Sequence, residues 1–265
     1  MIANVKIGFI GFGNMAKALA EGLIIKNVVK PNQIYACARN WDNLCKSTKA
    51  NGINACQTSQ ELVNESDIVI IAVKPNVIPA VIEPIKEILK DKIVVSVAAG
   101  YTFDKYEELL LPGTSHLSTI PNTPVSIGEG IIVAEKLHSL SDKEYKLIND
   151  IFSKIALLEF VDSNQLSIAG TISGCGPAFA SMFIEALSDA AVKHGLTREA
   201  SYKLASQMIL GTGKLQIETG EHPGAMKDAV CSPGGTTILG VTTLEKKGFR
   251  GAIVDAIDAI EGNKK

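Results

Sequence analysis

The sequence lacks the residue patterns that mark disulfide frameworks, metal sites and hydrolase nucleophiles. Its five cysteines are widely spaced and odd in number, and none forms a C-x-x-C pair. This usage argues against a disulfide framework and indicates a reducing compartment. The four histidines form no H-x-x-x-H pair, so we expect no metal site. No G-x-S-x-G segment supports a serine nucleophile, although residue spacing alone leaves a Ser-His-Asp triad open.

Long runs of charged or apolar residues are also missing. The formal net charge is −2, and no run of Lys and Arg suggests a nucleic-acid partner. We find no apolar run with the length of a membrane span, so we expect no membrane partner. The first residues lead directly into an apolar stretch, which predicts that no signal peptide is present. Together with the cysteine usage, these absences predict a cytoplasmic protein.

The residues that are present suit a globular protein with a sizeable core. Of the 265 residues, 46% are hydrophobic and 20% are charged. Strand and helix signals alternate up to about residue 162, and helical signals dominate from there on. We therefore predict an α/β fold, with an N-terminal Rossmann-type, mostly parallel sheet in residues 1–162 and a C-terminal all-helical domain in residues 163–265.

Hydrophobic periodicity gives the expected elements of both domains. The predicted strands are Val5–Ile10, Ile34–Ala38, Ile53–Ala55, Asp67–Val73, Ile93–Ala98, Gly130–Ala134 and Leu157–Val161. The main predicted helices are Val77–Leu89, Pro177–Gly195, Arg198–Thr219, Thr236–Glu245 and Arg250–Glu261. Strands separated by helices predict a parallel sheet with helices on both faces.

A glycine-rich turn follows the first predicted strand. Residues 11–16, GFGNMA, match G-x-G-x-x-G/A, and helical spacing follows them. In a Rossmann turn Gly11 permits the tight bend, Gly13 lets the backbone approach a pyrophosphate, and Ala16 allows close packing of helix and strand. The free N–H groups at the start of the helix then hold the anion. The alternative is a glycine-rich turn that binds nothing.

The end of the second predicted strand indicates which dinucleotide binds. Arg39 and Asn40 stand there, and no Asp or Glu occurs before Asp42. A carboxylate at this point bonds the ribose 2′-OH of NAD, whereas a guanidinium can bind the 2′-phosphate of NADP. We therefore predict NADP, with NADPH preferred over NADH. The alternative is that Arg39 is an ordinary solvated arginine.

The helical half is only about 100 residues long and is rich in small residues. Ala178, Ala180, Ala186, Ala190 and Ala191 permit close approach between helices. This composition suits a self-contained bundle, and it equally suits helices whose apolar faces are covered by a second subunit.

Five segments of the chain form a recognisable series. They are Ala72 to Pro75 (AVKP), Ser96 to Gly100 (SVAAG), Pro121 to Pro124 (PNTP), Ser173 to Phe179 (SGCGPAF) and Asp228 to Glu245 (DAVCSPGGTTILGVTTLE). The first three are shared with several Rossmann reductases, whereas the SPGGTT stretch in the last one is much more specific. Together, in this order, the segments closely resemble the pyrroline-5-carboxylate reductase family over nearly the whole chain.

The resemblance implies reduction of 1-pyrroline-5-carboxylate to L-proline, the last step of proline biosynthesis, with hydride from NADPH. It implies a small-molecule imino acid substrate and a homodimer formed by the helical half, in some members within a ring of dimers. The residues implied to bind the cofactor are Ile10, Gly11, Phe12, Gly13, Asn14, Met15, Arg39, Asn40, Ala72, Val73, Lys74, Pro75, Ala98, Ala99 and Gly100.

The SPGGTT stretch, residues 232–237, suits a grip on the substrate carboxylate. Pro233 and the glycines predict a turn, and Thr236 opens a predicted helix whose N–H groups favour an anion. The alternative is an ordinary helix cap. No catalytic residue is identified. The residues expected to bind substrate are Ser232, Gly235, Thr236, Thr237 and Thr171.

Three positions depart from the family pattern. Gly170 stands where members usually carry a Thr, and Thr171 is a substitute that faces a different way. Cys175 replaces the middle Ser of S-G-S-G-P, and Ser59 stands where an Asn is common. These departures leave two other hypotheses open: a paralogous NADP-dependent reductase of another small cyclic imine or a hydroxy acid, and a non-catalytic dinucleotide-binding protein.

Overall fold

The computed structural model describes residues 4–263, so the first three residues, on which the signal-peptide prediction partly depends, lie outside the described residues. The chain forms two compact units that divide after Cys175, which lies inside a long helix. The boundary predicted at residue 162 lies immediately before a short 3-10 turn, Ser163–Gln165, that leads into this helix. We describe the two units separately.

The first unit is built on an eight-stranded sheet with the strand order β3-β2-β1-β4-β5-β6-β7-β8. All neighbouring strands are parallel except β6 and β7, so the predicted Rossmann-type, mostly parallel sheet is confirmed. The strands are β1 (Ile7–Ile10), β2 (Ile34–Cys37), β3 (Asn54–Ala55), β4 (Ile68–Ile71), β5 (Ile93–Ser96), β6 (Ser115–Pro121), β7 (Gly130–Glu135) and β8 (Ala156–Val161).

Strand β6 is the one that the sequence patterns did not predict. Its residues SHLSTIP contain three hydroxyl side chains and a histidine, so neither alternation nor an apolar run is visible. The strand nevertheless lies in the middle of the sheet, where His116, Ser118 and Thr119 are each 1% exposed. Tertiary burial therefore overrides a weak local signal.

Residues 4–263 contain twelve α-helices, some beside the sheet and the others in the second unit. They are α1 (Asn14–Ile25), α2 (Trp41–Asn51), α3 (Ser59–Glu65), α4 (Ile78–Ile82), α5 (Lys86–Leu89), α6 (Phe103–Glu107), α7 (Asp142–Phe152), α8 (Leu166–Lys193), α9 (Arg198–Thr219), α10 (Pro223–Ala229), α11 (Thr236–Lys246) and α12 (Phe249–Gly262). The bounds of α9 match the prediction, and those of α11 and α12 match within one residue. Helix α10 was not predicted.

Two helix predictions were wrong because of proline. The single helix expected over residues 77–89 is divided into α4 and α5 by a 3-10 turn at Glu83–Ile85, since Pro84 has no N–H to donate to the carbonyl four residues earlier. Conversely, α8 begins at Leu166 and continues through Pro177, where the prediction placed its start. The Ser173 carbonyl, which Pro177 cannot serve, accepts a hydrogen bond from Asn122 Nδ2 at 3.0 Å.

Alternate residues of the strands supply two apolar layers, one on each face of the sheet. Ile7, Phe9 and Ile70 belong to one layer, and Ile10 and Ile71 belong to the other. All five side chains are at most 3% exposed. This double burial explains why the strands read as continuous apolar runs, and it leaves the carboxyl edge of the sheet to carry the polar loops.

The second unit buries little of its own apolar surface. Ala205 is the one apolar residue that is buried within residues 176–263. One stretch, residues 163–193, is long and apolar enough to cross a membrane by length and composition, and 11% of its most apolar window is buried. The expectation that no apolar run reaches this length was therefore wrong, since small residues made the run inconspicuous.

Candidate functional site

Four groups of predicted cofactor residues lie at the carboxyl ends of four strands. Residues 11–15 follow β1, Arg39 and Asn40 follow β2, residues 72–75 follow β4, and Ala98 to Gly100 lie shortly after β5. Strands β2, β1, β4 and β5 are neighbours in this order, so the four groups share one edge of the sheet. This edge, at the point where the strand order reverses, is where open α/β sheets bind ligands.

Gly11 occupies a position that no other residue fits without strain. Its φ is +89°, and a Cβ there would lie 2.7 Å from the Ala72 carbonyl oxygen. The turn is held on both sides, because the Gly11 N–H donates to the Cys37 carbonyl at 2.9 Å and the Ala72 N–H donates to the Ile10 carbonyl at 2.8 Å. The tight bend therefore follows from contacts with both neighbouring strands.

Gly13 has the opposite surroundings. It is exposed, its backbone is extended, and no heavy atom lies within 4 Å of the position that a Cβ would take. Gly13 is also the N-cap of α1, where no side chain caps the first N–H groups. No contact within the fold requires a glycine here. A glycine instead leaves space for an anion to approach the N–H groups at the helix start. The residues present therefore fit a dinucleotide pyrophosphate.

The other residues of the turn contribute in different ways. Phe12 is 8% exposed and packs edge-on against Phe9, with ring centroids 6.1 Å apart. Ile10 is 3% exposed and Ala16 is 1% exposed, so both lie in the core. Asn14 and Met15 keep accessible surface at the start of α1. Ile10 and Phe12 therefore offer a ligand their backbone only.

Arg39 and Asn40 stand side by side after β2 and differ in their partners. Asn40 is the N-cap of α2, and its Oδ1 accepts the Asn43 N–H at 3.0 Å. Arg39 is exposed, and no carboxylate within residues 4–263 forms an ion pair with it. Its guanidinium is thus available to a phosphate group at the sheet edge.

The segments after β4 and β5 complete this edge. Lys74 and Pro75 are exposed, and Ala72 and Val73 are half-buried. Ala98 is 6% exposed, while Ala99 and Gly100 are exposed in the loop that follows. Gly100 has a φ of +77°, and no atom lies within 4 Å of the position of its missing Cβ.

Sequence reasoning did not predict the polar side chains that hold this loop. Ser96 Oγ accepts the Ala98 N–H at 3.2 Å and the Tyr106 hydroxyl at 2.8 Å. Glu135 Oε2 accepts the Phe103 N–H at 2.7 Å. The signal that marks them is a polar residue at a fully buried strand position, because Ser96 and Glu135 are each 1% exposed.

In the second unit, residues 232–237 form the predicted turn and helix start. The Gly235 N–H donates to the Ser232 carbonyl at 3.0 Å, and Gly234 has a φ of +69°. Helix α11 begins at Thr236, and its N-cap, Gly235, provides no side-chain cap. Ser232, Thr236 and Thr237 are exposed. The N–H groups of the first turn and three hydroxyls thus lie at one helix start, as an anion grip requires.

Thr171 is 2% exposed in this structure. Its assignment as a substrate-binding residue stays a prediction. At the neighbouring Gly170 a Cβ would lie 2.7 Å from Ile120 Cδ1, so a larger residue here would require the end of the Ile120 side chain to move. The departure at residue 170 is therefore matched by the packing of β6.

Two buried thiols, Cys37 and Cys56, lie at the carboxyl ends of β2 and β3. Burial raises the pKa of the Cys37 thiol to about 11 and that of Cys56 to about 12. The Cys56 N–H donates to the Ala36 carbonyl at 2.9 Å, which places Cys56 directly after β3 and next to Cys37 on β2. Both thiols stay protonated at neutral pH and are small apolar residues of the core.

Comparisons with known proteins agree with this geometry. Residues 163–265 match the family model described as pyrroline-5-carboxylate reductase dimerisation, and residues 6–100 match the one described as NADP oxidoreductase coenzyme F420-dependent. The chain is 42% identical to the pyrroline-5-carboxylate reductase of Treponema pallidum, over 96% of this chain and 98% of the relative. It is 40% identical to that of Escherichia coli, over 95% and 94%.

A solved structure extends the likeness to three dimensions. The crystal structure of Plasmodium falciparum pyrroline carboxylate reductase with NADP bound has a TM-score of 0.87 and is 32% identical, covering 98% of this chain and 97% of that one. The likeness therefore includes both units and the turn after β1. On this identity and coverage, the chain belongs to the pyrroline-5-carboxylate reductase family.

Proposed function

We propose that the protein reduces 1-pyrroline-5-carboxylate to L-proline, with NADPH as the hydride donor, as the last step of proline biosynthesis. The single observation that carries this proposal is the 42% identity to a pyrroline-5-carboxylate reductase across nearly the full length of both chains. Within this proposal, residues 1–162 bind the dinucleotide, and residues 163–265 hold the substrate and form the dimer. Such an enzyme is an oxidoreductase acting on a CH–NH bond.

The carboxyl edge of the sheet supplies the cofactor site in this proposal. The N–H groups at the start of α1 and the bare backbone of Gly13 receive the pyrophosphate, and Arg39 receives the 2′-phosphate. Residues 72–75 would hold the nicotinamide ribose, and residues 98–100 would hold the nicotinamide ring. When NADPH is bound, its nicotinamide supplies the hydride.

The protein's own contribution to the chemistry is position and charge. A protonated cyclic imine is already electrophilic at its C=N carbon, so the site needs no covalent nucleophile. We therefore assign no catalytic residue. The site must hold the imine carbon and exclude misaligned poses, because small errors in placement cost large factors in rate.

The turn of residues 232–237 is our candidate for the substrate carboxylate. Thr236 and Thr237 present exposed hydroxyls beside the uncapped N–H groups of α11. Hydrogen bonds from several such donors to one carboxylate fix its orientation and stabilise its negative charge. Ser232 and Gly235 shape the turn, since the Gly235 N–H donates to the Ser232 carbonyl.

A related substrate is the second candidate function. Ile120 occupies the space beside Gly170 where the family's usual Thr would stand, so a hydroxyl that members carry is missing here. This difference supports a paralogous reductase of another small cyclic imine. The retained turn of residues 232–237 favours a reductase over a non-catalytic dinucleotide-binding protein.

The protein is proposed to work as a homo-oligomer in the cytoplasm, as a homodimer that other contacts can extend into a ring. The match of residues 163–265 to a dimerisation family supports a second copy of the chain as the cover of the apolar α8. A single helix with this composition is weak support for a membrane span. The match to the dimerisation family therefore favours a protein partner over lipid for residues 163–193.

The proposed reaction is tested by following NADPH absorbance with 1-pyrroline-5-carboxylate, with larger cyclic imines and with no imine. We expect oxidation with the first substrate and little without it. Faster turnover of a larger imine would favour the paralogous reductase. Binding of NADPH without turnover of any imine would favour the non-catalytic protein.

The carboxylate turn is tested by Thr236→Val and Thr237→Val, which remove hydroxyls and keep the side-chain shape. A hydrogen bond to a charged group contributes roughly 1.5–3 kcal/mol, so we expect KM for the imine to rise about tenfold to a hundredfold. The Kd for NADPH should stay within about twofold. Loss of NADPH affinity with an unchanged KM for the imine would make this turn a cofactor element instead.

A further inference from the structure

The loop of residues 97–102, which carries Ala98 to Gly100, is anchored at its start by a buried hydroxyl. Ser96 Oγ accepts hydrogen bonds from the Ala98 N–H and the Tyr106 hydroxyl, and the Ser96 carbonyl accepts the Thr119 hydroxyl at 2.6 Å. Burial raises the pKa of the Tyr106 phenol well above its usual value, so the hydroxyl remains a donor. This end of the loop is thereby fixed to β5 and β6.

The other end of the loop is anchored by a carboxylate from a different strand. Glu135, the last residue of β7, is 1% exposed, and its Oε2 accepts the Phe103 N–H at 2.7 Å. Phe103 is the first residue of α6, and its ring stacks on His116 with centroids 4.6 Å apart. The loop is therefore tied to β7 as well as to β5.

The choice of a carboxylate for this contact needs a reason beyond helix stability. Thr102 is the N-cap of α6 and belongs to the residue types that cap helices well, yet its side chain makes no capping bond. Burying a carboxylate is costly unless the group is well hydrogen-bonded. A local cap would stabilise α6 alone, whereas Glu135 also fixes the loop relative to the sheet.

We propose that Glu135 is a positioning residue for hydride transfer, because its carboxylate holds the Phe103 N–H and so fixes the backbone of Ala98 to Gly100 at the nicotinamide. This proposal rests on the function proposed above, which places that loop at the ring. Glu135 does not touch the reacting atoms. It acts through a loop whose small residues, Ala98, Ala99 and Gly100, allow the backbone itself to approach the cofactor.

The variant Glu135→Met removes the acceptor at similar size, and Glu135→Gln keeps one acceptor oxygen. Glu144 provides a matched control. It also caps a helix, accepting the Ser141 N–H at 2.8 Å at the start of α7, but it lies with Asp67 and Ile93 near the amino ends of β4 and β5. Glu144→Met should therefore remove a comparable cap at the opposite edge of the sheet.

The first measurement is amide hydrogen exchange on the cofactor-free protein, which does not depend on any activity. We expect exchange in residues 97–104 to be at least about tenfold faster in Glu135→Met than in the natural protein, and close to normal in Glu135→Gln and Glu144→Met. Unchanged exchange in Glu135→Met would overturn the proposal, even if the natural protein reduces the imine efficiently.

The second measurement separates hydride transfer from cofactor binding. In Glu135→Met we expect kcat to fall about tenfold, with a larger primary isotope effect from deuterated NADPH, while the Kd for NADPH by fluorescence stays within about threefold. Glu135→Gln should recover most of kcat. A parallel loss of kcat and NADPH affinity, or an equal loss in Glu144→Met, would make Glu135 a general structural residue and overturn the proposal.

Tyr106→Phe tests the same idea if Glu135→Met does not fold. It removes the hydroxyl at the other anchor and keeps the ring, so we expect the same pattern with a smaller loss of kcat and faster exchange at Ala98. Normal exchange and kcat in Tyr106→Phe would count against the proposal. If the natural protein binds NADPH but reduces no imine, the proposed function fails while the exchange measurements still decide the role of Glu135.

Discussion

The two compact units of this chain differ in what covers their apolar side chains. In the first unit, two apolar layers enclose the sheet, and strand residues such as Ile7 and Ile70 are fully buried. In the second unit, Leu204 is 61% exposed, Leu239 is 64% exposed and Ile217 is 76% exposed. Helices with such faces need a cover from outside the unit, and a dimerisation family model matches this region.

The difference teaches that the units depend on different partners. The first unit buries two apolar layers against its own sheet and leaves the uncapped, positively polarised start of α1 for a ligand. The second unit leaves whole apolar stripes accessible, such as Leu204, Met208 and Leu215 at helical spacing on α9. We therefore propose a ligand as the partner of the first unit and a second copy of the chain as the partner of the second.

The largest effect is expected from breaking the cover of the second unit with Leu204→Asp. Burying a large apolar side chain contributes roughly 1.5–3 kcal/mol, and an unpaired buried charge costs more. We therefore expect the dimer Kd to rise at least about a hundredfold. The matched control is Leu157→Asp on β8, which is 58% exposed in the first unit and should not change the oligomer. Light scattering over a dilution series distinguishes the two, and an intact Leu204→Asp dimer would contradict the comparison.

The next effect concerns the first unit and separates its fold from its ligand. Gly11→Ala places an alanine at a positive φ and brings its Cβ too close to the Ala72 carbonyl oxygen. We therefore expect the free energy of unfolding to fall by roughly 1–3 kcal/mol. Gly13→Ala meets no atom and an extended backbone, so stability should change by less than about 0.5 kcal/mol. Its NADPH Kd should nevertheless rise about tenfold, because the methyl group occupies the approach of the pyrophosphate.

Denaturant unfolding and NADPH titration on both variants test this pair. Equal losses of stability in Gly11→Ala and Gly13→Ala would mean that the second glycine serves the fold. An unchanged NADPH Kd in Gly13→Ala would remove the pyrophosphate from this turn.

A smaller effect is expected at Arg39, where a side chain and not the backbone meets the ligand. Arg39→Asp replaces a donor for the 2′-phosphate with a repelling carboxylate, so the ratio of kcat/KM for NADPH to that for NADH should fall at least about tenfold. Arg39→Lys keeps the charge and should lose less. An unchanged ratio in Arg39→Asp would show that Arg39 is an ordinary surface residue.

The effect that is smallest at neutral pH is a pH dependence of the first unit that appears only in alkaline solution. The folded pKa values of Cys37 and Cys56, about 11 and about 12, lie above the ordinary thiol value, because burial disfavours the thiolate. The unfolded chain therefore releases these protons first. The free energy of unfolding should be unaffected by these thiols below about pH 8 and should fall as the pH rises from about 9 towards 11.

Denaturant unfolding of the natural protein and of Cys37→Ala, between pH 7 and 10.5, measures this slope. The variant should be less sensitive to pH above about 9. Cys45→Ala is the control, because Cys45 is only partly buried on α2. Identical slopes in all three proteins would mean that other groups cause the loss of stability.

Much of the first unit was predictable because its elements are specified locally. Strands β1, β2, β4 and β5 are rich in apolar, mostly β-branched residues, and the G-x-G-x-x-A turn is recognisable from its spacing. The handedness of connections between parallel strands leaves few possible strand orders. Strand β6 was missed because its polar residues are buried by neighbours that are distant in sequence. The start of α8 was missed because Pro177 is typical of a helix start and because Gly170, Gly174 and Gly176 weaken the helical signal before it.

The sequence by itself determined most strands and helices other than β6 and α10, together with the glycine-rich turn and the family, since these depend on spacing and residue type along the chain. Only the tertiary structure decided that Gly11 is required by the Ala72 carbonyl while Gly13 faces open space. It also decided that Glu135 lies against the N–H of Phe103. Such contacts join residues far apart in sequence, and their energy depends on burial and distance, which no local pattern encodes.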